Sequence, residues 1–265
     1  MLKYMYITNR PDVARLCEEV GVDRVFVDME WMGKAERQGH IDSVKSFHTL
    51  EDVADVRDAL TCSELLVRVN PIHGGTRKEV AGAIAAGADC VMLPMARTYD
   101  EVCLFTDAVA GKAKAILLLE TRGAEDALEA ILDNSGIDEI HIGINDLSLD
   151  YGIPFMFTLL ANGTVERICS RIRPYGIPYG FGGVARIGGG RVPTENVLME
   201  HRRLGSTRAI LSRSFYNVDA MQHIDEAREV FSVEFARIRE VEAAFAHCSG
   251  QEFLENMRKL KELCR

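Results

Sequence analysis

Eight short apolar runs alternate with helical stretches along the chain, and this alternation constrains the fold more than any other feature. The runs are Tyr4–Thr8, Arg24–Asp28, Leu65–Val69, Cys90–Leu93, Ala115–Leu119, Glu139–Gly143, Ile177–Phe181 and Ala209–Ser212. Several are apolar throughout, as parallel strands covered on both faces must be. Between them the spacing predicts helices over Asp12–Val20, Leu50–Leu60, Lys78–Ala86, Asp100–Val109, Glu125–Leu132, Val165–Ile172 and Glu195–Arg203. Three starts carry capping-box spacing, Thr49-x-x-Asp52, Thr76-x-x-Glu79 and Thr98-x-x-Glu101. There a hydroxyl and a carboxylate can satisfy free N–H groups of the first turn. Strand–helix repetition implies parallel βαβ units. Eight such strands in 265 residues fit an α/β fold, the (β/α)8 TIM barrel, over residues 1–218 with a C-terminal helical extension over 219–265. The alternative is a doubly wound open sheet, which needs a switch point that the sequence does not offer.

Strand spacing adds detail. The segments after the second and sixth strands are long, and long loops in a compact barrel are usually functional. In the extension, Ile224, Phe231, Ile238 and Phe245 recur every seven residues beside Phe235 and Val241. Ser249-Gly250 breaks the pattern, and Phe253, Met257, Leu260 and Cys264 mark a second helix. An apolar stripe of this kind either joins subunits, giving a homo-oligomer, or covers its own barrel.

Composition excludes several classes. The apolar fraction is 47%, a globular value, and the net charge is −9. An acidic chain without basic blocks is a poor ligand for a nucleic-acid backbone. No apolar run approaches a membrane span, and Arg10-Pro11 interrupts the N-terminus too early for a signal-peptide core. Seven cysteines, with no CxxC, argue against a disulfide framework and point to a cytoplasmic protein. The charge is uneven, however. Residues 180–214 hold six arginines against two glutamates, so a small anion remains a suitable partner.

In a barrel, polar residues at the carboxyl ends of strands are the first candidates for chemistry. They are Asp28, Glu30, Arg68, Asn70, Glu120, Asn145, Asp146 and Arg213. Glu120 closes the run LLLE, and Asp146 follows GIN one βα unit later. Adjacent strands lie about 4.8 Å apart, so both carboxylates can reach one divalent cation, Mg²⁺ or Mn²⁺. Capping of neighbouring helices is an equal reading of the same two acids. Arg68, inside LLVRVN, needs a partner, which is either a barrel acid or an oxyanion on the substrate. A Schiff-base lysine is disfavoured, because Lys112 and Lys114 lie at the wrong end of their strand and only Lys34 is near the right face.

These residues carry a resemblance. Asp28-Met-Glu30, Arg68-Val-Asn, GADCVMLP ending at Pro94, Leu119-Glu120-Thr and Ile142-Gly-Ile-Asn-Asp146-Leu-Ser resemble the 2,4-dihydroxyhept-2-ene-1,7-dioate aldolase / citrate lyase β-subunit family, within the phosphoenolpyruvate/pyruvate superfamily of barrels. The match runs in order over residues 4–215. The resemblance implies that Glu120 and Asp146 hold a divalent metal. It implies that a small anionic 2-oxo acid such as pyruvate chelates that metal, and that Arg68 stabilises the enolate. The implied activity is metal-dependent aldol cleavage to a 2-oxo acid enolate and an aldehyde. Other enolate chemistry, a CoA-thioester lyase, or a non-catalytic 2-oxo-acid-binding member are the alternatives. Asp28 and Glu30 would organise water or loop contacts.

One departure is plain. Family aldolases place a histidine acid/base soon after the Asp-x-Glu, where this chain has Trp31, and indole cannot exchange protons near neutral pH. His40, His48 and Lys34 are the candidate substitutes. As a group Lys34, Arg37, Gln38 and His40 read as a polar recognition loop, or as a solvated one, and Trp31 as a substrate contact or a shield of the site. Gly143 and Asn145, flanking Asp146's turn, are candidate substrate contacts.

The cluster Gly180-Phe-Gly182-Gly183-Val-Ala185 fits GxGxxA only weakly, since RIGGGRVP cannot open the helix that a dinucleotide fingerprint requires. An anion cradle after the last strands, using Gly182, Gly183, Arg186 and Arg213, is the better reading, with a mobile glycine lid as its alternative. His141 alternates with isoleucines and reads as a packed core histidine. His73 either approaches the site or belongs to a turn.

Overall fold

The computed structural model describes residues 1–33, 48–218 and 223–265. Lys34, Arg37, Gln38 and His40 therefore lie outside the described residues. In chain order the elements are β1 (Lys3–Ile7), α1 (Pro11–Glu19), β2 (Arg24–Asp28), α2 (Leu50–Ala59), β3 (Glu64–Arg68), α3 (Thr76–Ala85), β4 (Cys90–Leu93), α4 (Tyr99–Val109) and β5 (Lys114–Leu119). There follow α5 (Arg122–Asp126), α6 (Leu128–Asn134), β6 (Glu139–Ile142), α7 (Ile144–Asp150), α8 (Thr158–Ala161), α9 (Thr164–Ile172), β7 (Tyr179–Val184), α10 (Thr194–Leu204), β8 (Arg208–Leu211), α11 (Ile224–Ala244) and α12 (Gly250–Leu263). The eight strands pair in parallel, in sequence order, and β8 closes on β1. The fold is a (β/α)8 barrel.

Alternation along the strands separates two cores. Met5, Phe26, Leu66, Met92, Ile116 and Leu118 fill the barrel interior. Val25, Val27, Leu65, Val67, Leu117 and Leu119 point outward to the helices. At the amino ends the interior is ionic. Arg24, fully buried, meets Glu139 at 2.7 Å and Glu64 at 2.8 Å, Arg208 meets Glu139 at 2.8 Å, and Lys114 bonds Glu64. This is why β1, β3, β5 and β8 begin one residue earlier than apolarity predicts. Lys3, Glu64, Lys114 and Arg208 are strand residues whose charges pair at the barrel floor.

Other elements depart from expectation. Thr49 and Thr98 form their capping boxes, but Thr76 does not, because α3 starts at Thr76 itself. Glu79 instead accepts from the backbone and side chain of Asn70 and pairs with His73 at 3.0 Å. The single helix expected over Glu125–Leu132 is two, α5 and α6, which meet at Ala127. The long segment after β6 is not loop alone, since α7 and α8 occupy part of it. Strand β7 runs through the glycine cluster to Val184, so Gly180, Gly182 and Gly183 are strand residues with a register shift among them.

The apolar stripe of the tail is covered by its own barrel. Phe231 packs edge-on to Tyr6 and Phe215, Phe235 to Tyr4, and Arg239 pairs with Asp23 at 3.0 Å. Helix α12 is tied to α10 through Asn256, which bonds Asn196 and Glu200. No described helix is long and apolar enough to cross a membrane.

Candidate active site

The carboxyl ends of the strands gather the polar residues that the apolar strands would otherwise exclude. Arg68 closes β3 and Asp28 closes β2, and the two strands pair in register there. The guanidinium meets Asp28 through two parallel hydrogen bonds, Nε to Oδ1 and Nη2 to Oδ2, both 2.8 Å. Glu30 stands 3.4 Å from Nη2, and the Phe26 ring lies 5.5 Å below the cation. Burial works against the charge of Arg68, but Asp28 and then Glu30 more than offset it, and the pKa is raised. Asp28 and Glu30 thus hold the arginine, a more specific placement than the expected water or loop contacts.

Glu120 follows β5 directly and is buried. Its Oε1 accepts from the Met95 backbone N–H at 3.0 Å. A Cβ on Gly143 would stand 2.8 Å from Oε2, so only glycine there leaves room for this carboxylate. Asp146 lies in the first turn of α7 rather than at a strand end, where the helix dipole favours an acid. Glu120 does not cap α5, because Thr121 does so, accepting from the Ala124 N–H. Burial and then the charge of Asp146 push the pKa of Glu120 up to about 8, against the pull of Arg68.

A cavity of about 160 Å³ joins these groups. Arg68, Glu120, Gly143, Asn145, Asp146, Gly182 and Gly183 line it, over an apolar floor of Ile7, Phe26, Met92, Leu118 and Ile210. His141 belongs to that floor, and Met156 adds an apolar wall.

Other expected site residues stand elsewhere. Trp31 is 61% exposed and does not line the cavity. His48 accepts the Asp28 backbone N–H at its Nδ1, 3.0 Å away, so it supports the end of β2 rather than lying in a solvated loop. Arg186 does not project into an anion cradle. Its Nε donates to the Phe215 carbonyl at 2.6 Å, and its guanidinium covers the Tyr216 ring. Arg213 is exposed in the turn after β8 and is not a cavity residue. His73 belongs to a turn, where its Nδ1 accepts the Gly75 N–H while Nε2 meets Glu79.

Asn70, a strand-end candidate, has a positioning role, and one participant, Met95, was missed in the sequence. Asn70 accepts the Trp31 and Met32 N–H groups at 3.0 Å and is itself held by Glu79, so it pins the chain leaving β2. Met95 has φ +56°, a left-handed conformation rare outside glycine, and this aims its N–H at Glu120. Its only sequence signal is a place directly after Leu93-Pro94.

The donor set suits a divalent cation. Two carboxylates facing one buried cavity repel each other, and a cation between them relieves the repulsion. Their oxygens match the hard ions Mg²⁺ and Mn²⁺. Among the described residues no group of three or more His, Cys, Asp or Glu is placed to hold a metal.

Fold and site together define a class: a (β/α)8 barrel with an acid pair and a clamped arginine at its carboxyl-end face. Within that class, the chain belongs to the HpcH/HpaI aldolase/citrate lyase family, whose model matches residues 4–156. Solved structures share the fold. A HpcH/HpaI aldolase/citrate lyase family protein from Burkholderia cenocepacia J2315 superposes with TM-score 0.64 at 17% identity, covering 86% of this chain and 95% of that one. The HpcH/HpaI aldolase from Desulfitobacterium hafniense DCB-2 gives 0.60 at 16%, covering 90% and 93%. A structure described as citrate synthase SbnG gives 0.61 at 16%, covering 90% and 94%. No curated protein matches the chain.

Proposed function

We propose that this protein is a divalent-metal-dependent aldolase that reversibly cleaves a C–C bond to give a 2-oxo acid enolate, such as that of pyruvate, and an aldehyde. Membership of an aldolase/citrate lyase family supports lyase chemistry in general. The observation that carries the finer reading is the convergence of Glu120, Asp146 and Arg68 on one cavity with an apolar floor.

Glu120 and Asp146 would hold the cation, which when bound supplies a Lewis acid at the keto oxygen of the substrate. Arg68 presents a fixed cation to the oxygen on which charge collects as the C–C bond breaks. Asp28 and Glu30 keep that guanidinium in one orientation, so little reorganisation is needed when the charge develops. The apolar floor excludes water from the carbanion side of the enolate, where a stray proton would end the reaction early. Gly143 lets Glu120 reach the cavity, and the Met95 N–H orients its carboxylate.

Calorimetric titration with Mn²⁺ tests the assignment. The wild type binds the ion more tightly when pyruvate is present, and Glu120→Gln and Asp146→Asn each weaken binding about tenfold or more. Unaltered Mn²⁺ affinity in both variants would overturn it.

A further inference from the structure

The ladder between β2 and β3 ends at the pair Asp28 and Arg68, yet the two chains stay joined beyond it. The Met29 N–H donates to the Arg68 carbonyl at 3.0 Å. The side chain of Asn70 then takes the place of a further strand residue. Its Oδ1 accepts the N–H groups of Trp31 and Met32, both at 3.0 Å. Glu30 lies between these anchors, with Met29 before it and Trp31 after it. Its carboxylate stands 3.4 Å from Arg68 Nη2. The amide of Asn70 therefore fixes the backbone from which Glu30 reaches the guanidinium.

The other end of the amide is also held. Nδ2 donates to Glu79 Oε1 at 2.7 Å, and the Asn70 backbone N–H donates to the same oxygen at 3.3 Å. The carboxylate only accepts, and the N–H groups of Trp31 and Met32 only donate, so the amide has a single orientation. Only an amide serves both partners. An aspartate would accept the two N–H groups but set a second carboxylate against Glu79. Glu79 is steadied in turn by His73. The Gly75 N–H donates to His73 Nδ1 at 3.1 Å, so Nε2 carries the hydrogen and donates it to Glu79 Oε2 at 3.0 Å. Glu79 does this in place of capping α3. Asn70 is 4% exposed, and breaking such a buried bond from one side is costly.

We propose that Asn70 is a positioning residue for the reaction: held by Glu79 and His73, its amide aims the Arg68 guanidinium through Glu30; this rests on the enolate reading above. Asn70 does not line the cavity, so it acts through Glu30 and Arg68 rather than on substrate. Asp28 holds the guanidinium through two hydrogen bonds, one of them at Nη2. Glu30 meets the same Nη2, so its place sets how the planar fork turns about the Asp28 pair. With the Asn70 amide gone, the chain around Glu30 loses two of its bonds to β3, and the guanidinium loses its fixed aim. A misplacement of about 1 Å in a group that meets developing charge can cost about 100-fold in rate.

The experiment follows exchange of pyruvate methyl protons for deuterium by NMR with Mg²⁺, as a function of pyruvate concentration, in the wild type, Asn70→Asp, Asn70→Ala, Glu79→Ala and Glu79→Gln. Mn²⁺ affinity is measured alongside by calorimetry. Both Asn70 variants should exchange about 10–100-fold more slowly at saturating pyruvate. Their half-saturating pyruvate and their Mn²⁺ affinity should stay within about threefold of wild type, because the lost interaction belongs to the transition state and the metal ligands are untouched. Glu79→Gln keeps an acceptor for the Asn70 amide and should exchange faster than Glu79→Ala. Saturated exchange within about threefold of wild type in both Asn70 variants overturns the role of Asn70 while leaving the enolate reading in place. So does a loss of rate matched by a tenfold loss of Mn²⁺ affinity, which marks collapse of the whole face rather than a misaimed guanidinium. Equal rates in the two Glu79 variants contradict the part given to Glu79. Absence of exchange in the wild type overturns the enolate reading, and the role of Asn70 with it.

Discussion

Arg68 keeps its charge inside the barrel because Asp28 meets it with two hydrogen bonds of 2.8 Å. Removing that acceptor strands a buried cation. Asp28→Asn should lower stability by about 3–5 kcal/mol, the cost of breaking a buried pair from one side, and urea denaturation measures it. A loss under about 1 kcal/mol would mean that Glu30 alone suffices to hold the guanidinium. Gly143 makes a sharper residue-level case. Its substitution by alanine puts a methyl 2.8 Å from Glu120 Oε2, which must displace the carboxylate. Gly143→Ala should therefore lose Mn²⁺ affinity about tenfold while the circular dichroism spectrum stays that of the wild type. Unchanged affinity would show that Glu120 does not need its present position.

Helix α11 carries the element-scale prediction. Phe231 is fully buried and meets Tyr6, Phe215 and Tyr216 edge-on, with ring centroids 5.0–5.4 Å apart. Phe231→Ala should cost about 3–5 kcal/mol through the cavity it leaves, read from the shift in denaturation midpoint. A small cost would mean that α11 is not part of the barrel's cooperative unit. This helix also marks where the sequence was legible. The seven-residue recurrence of Phe231 and Ile238 announced a helix with one buried face, as the strand runs announced the barrel, because both patterns record burial directly. Arg68 and Glu120 were legible because a place at the end of a barrel strand fixes which face a residue occupies, whereas Asp146 lies in the first turn of the following helix. What escaped was set by contacts distant in sequence. Glu79 has the spacing of a cap, yet Asn70 and His73 claim it. Arg186 sits among glycines like an anion ligand, yet a carbonyl 29 residues away holds it. His141 has the alternation of a core residue and is one, but no local pattern reveals that its Nδ1 is buried without a partner.

At the scale of the whole molecule, two buried histidines tie stability to pH. His201 stacks on Phe181 at 3.8 Å with its rings nearly parallel, and burial, then the proximity of His141, pulls its pKa to about 3. His141 is lowered to about 4 by burial. Both are neutral in the folded chain at neutral pH, whereas an unfolded histidine takes a proton near pH 6.5. Their contribution is complete above about pH 6.5 and is lost as the pH falls towards 4 and below. Glu120, raised to about 8, works in the opposite direction over the same range, so the test compares variants: the urea midpoint of His201→Leu should fall less between pH 7 and 5 than that of the wild type. An equal fall in both would contradict the burial of His201 as a neutral imidazole. The same closed barrel that buries them sets Glu120, Asp146 and Arg68 around one cavity, and the proposed chemistry depends on that convergence. Deuterium exchange into the methyl group of pyruvate tests it most directly. The wild type should exchange with Mg²⁺ or Mn²⁺ and stop when the ion is chelated, and Glu120→Gln should not exchange at all. Exchange that persists in Glu120→Gln, or that ignores the metal, would contradict the account.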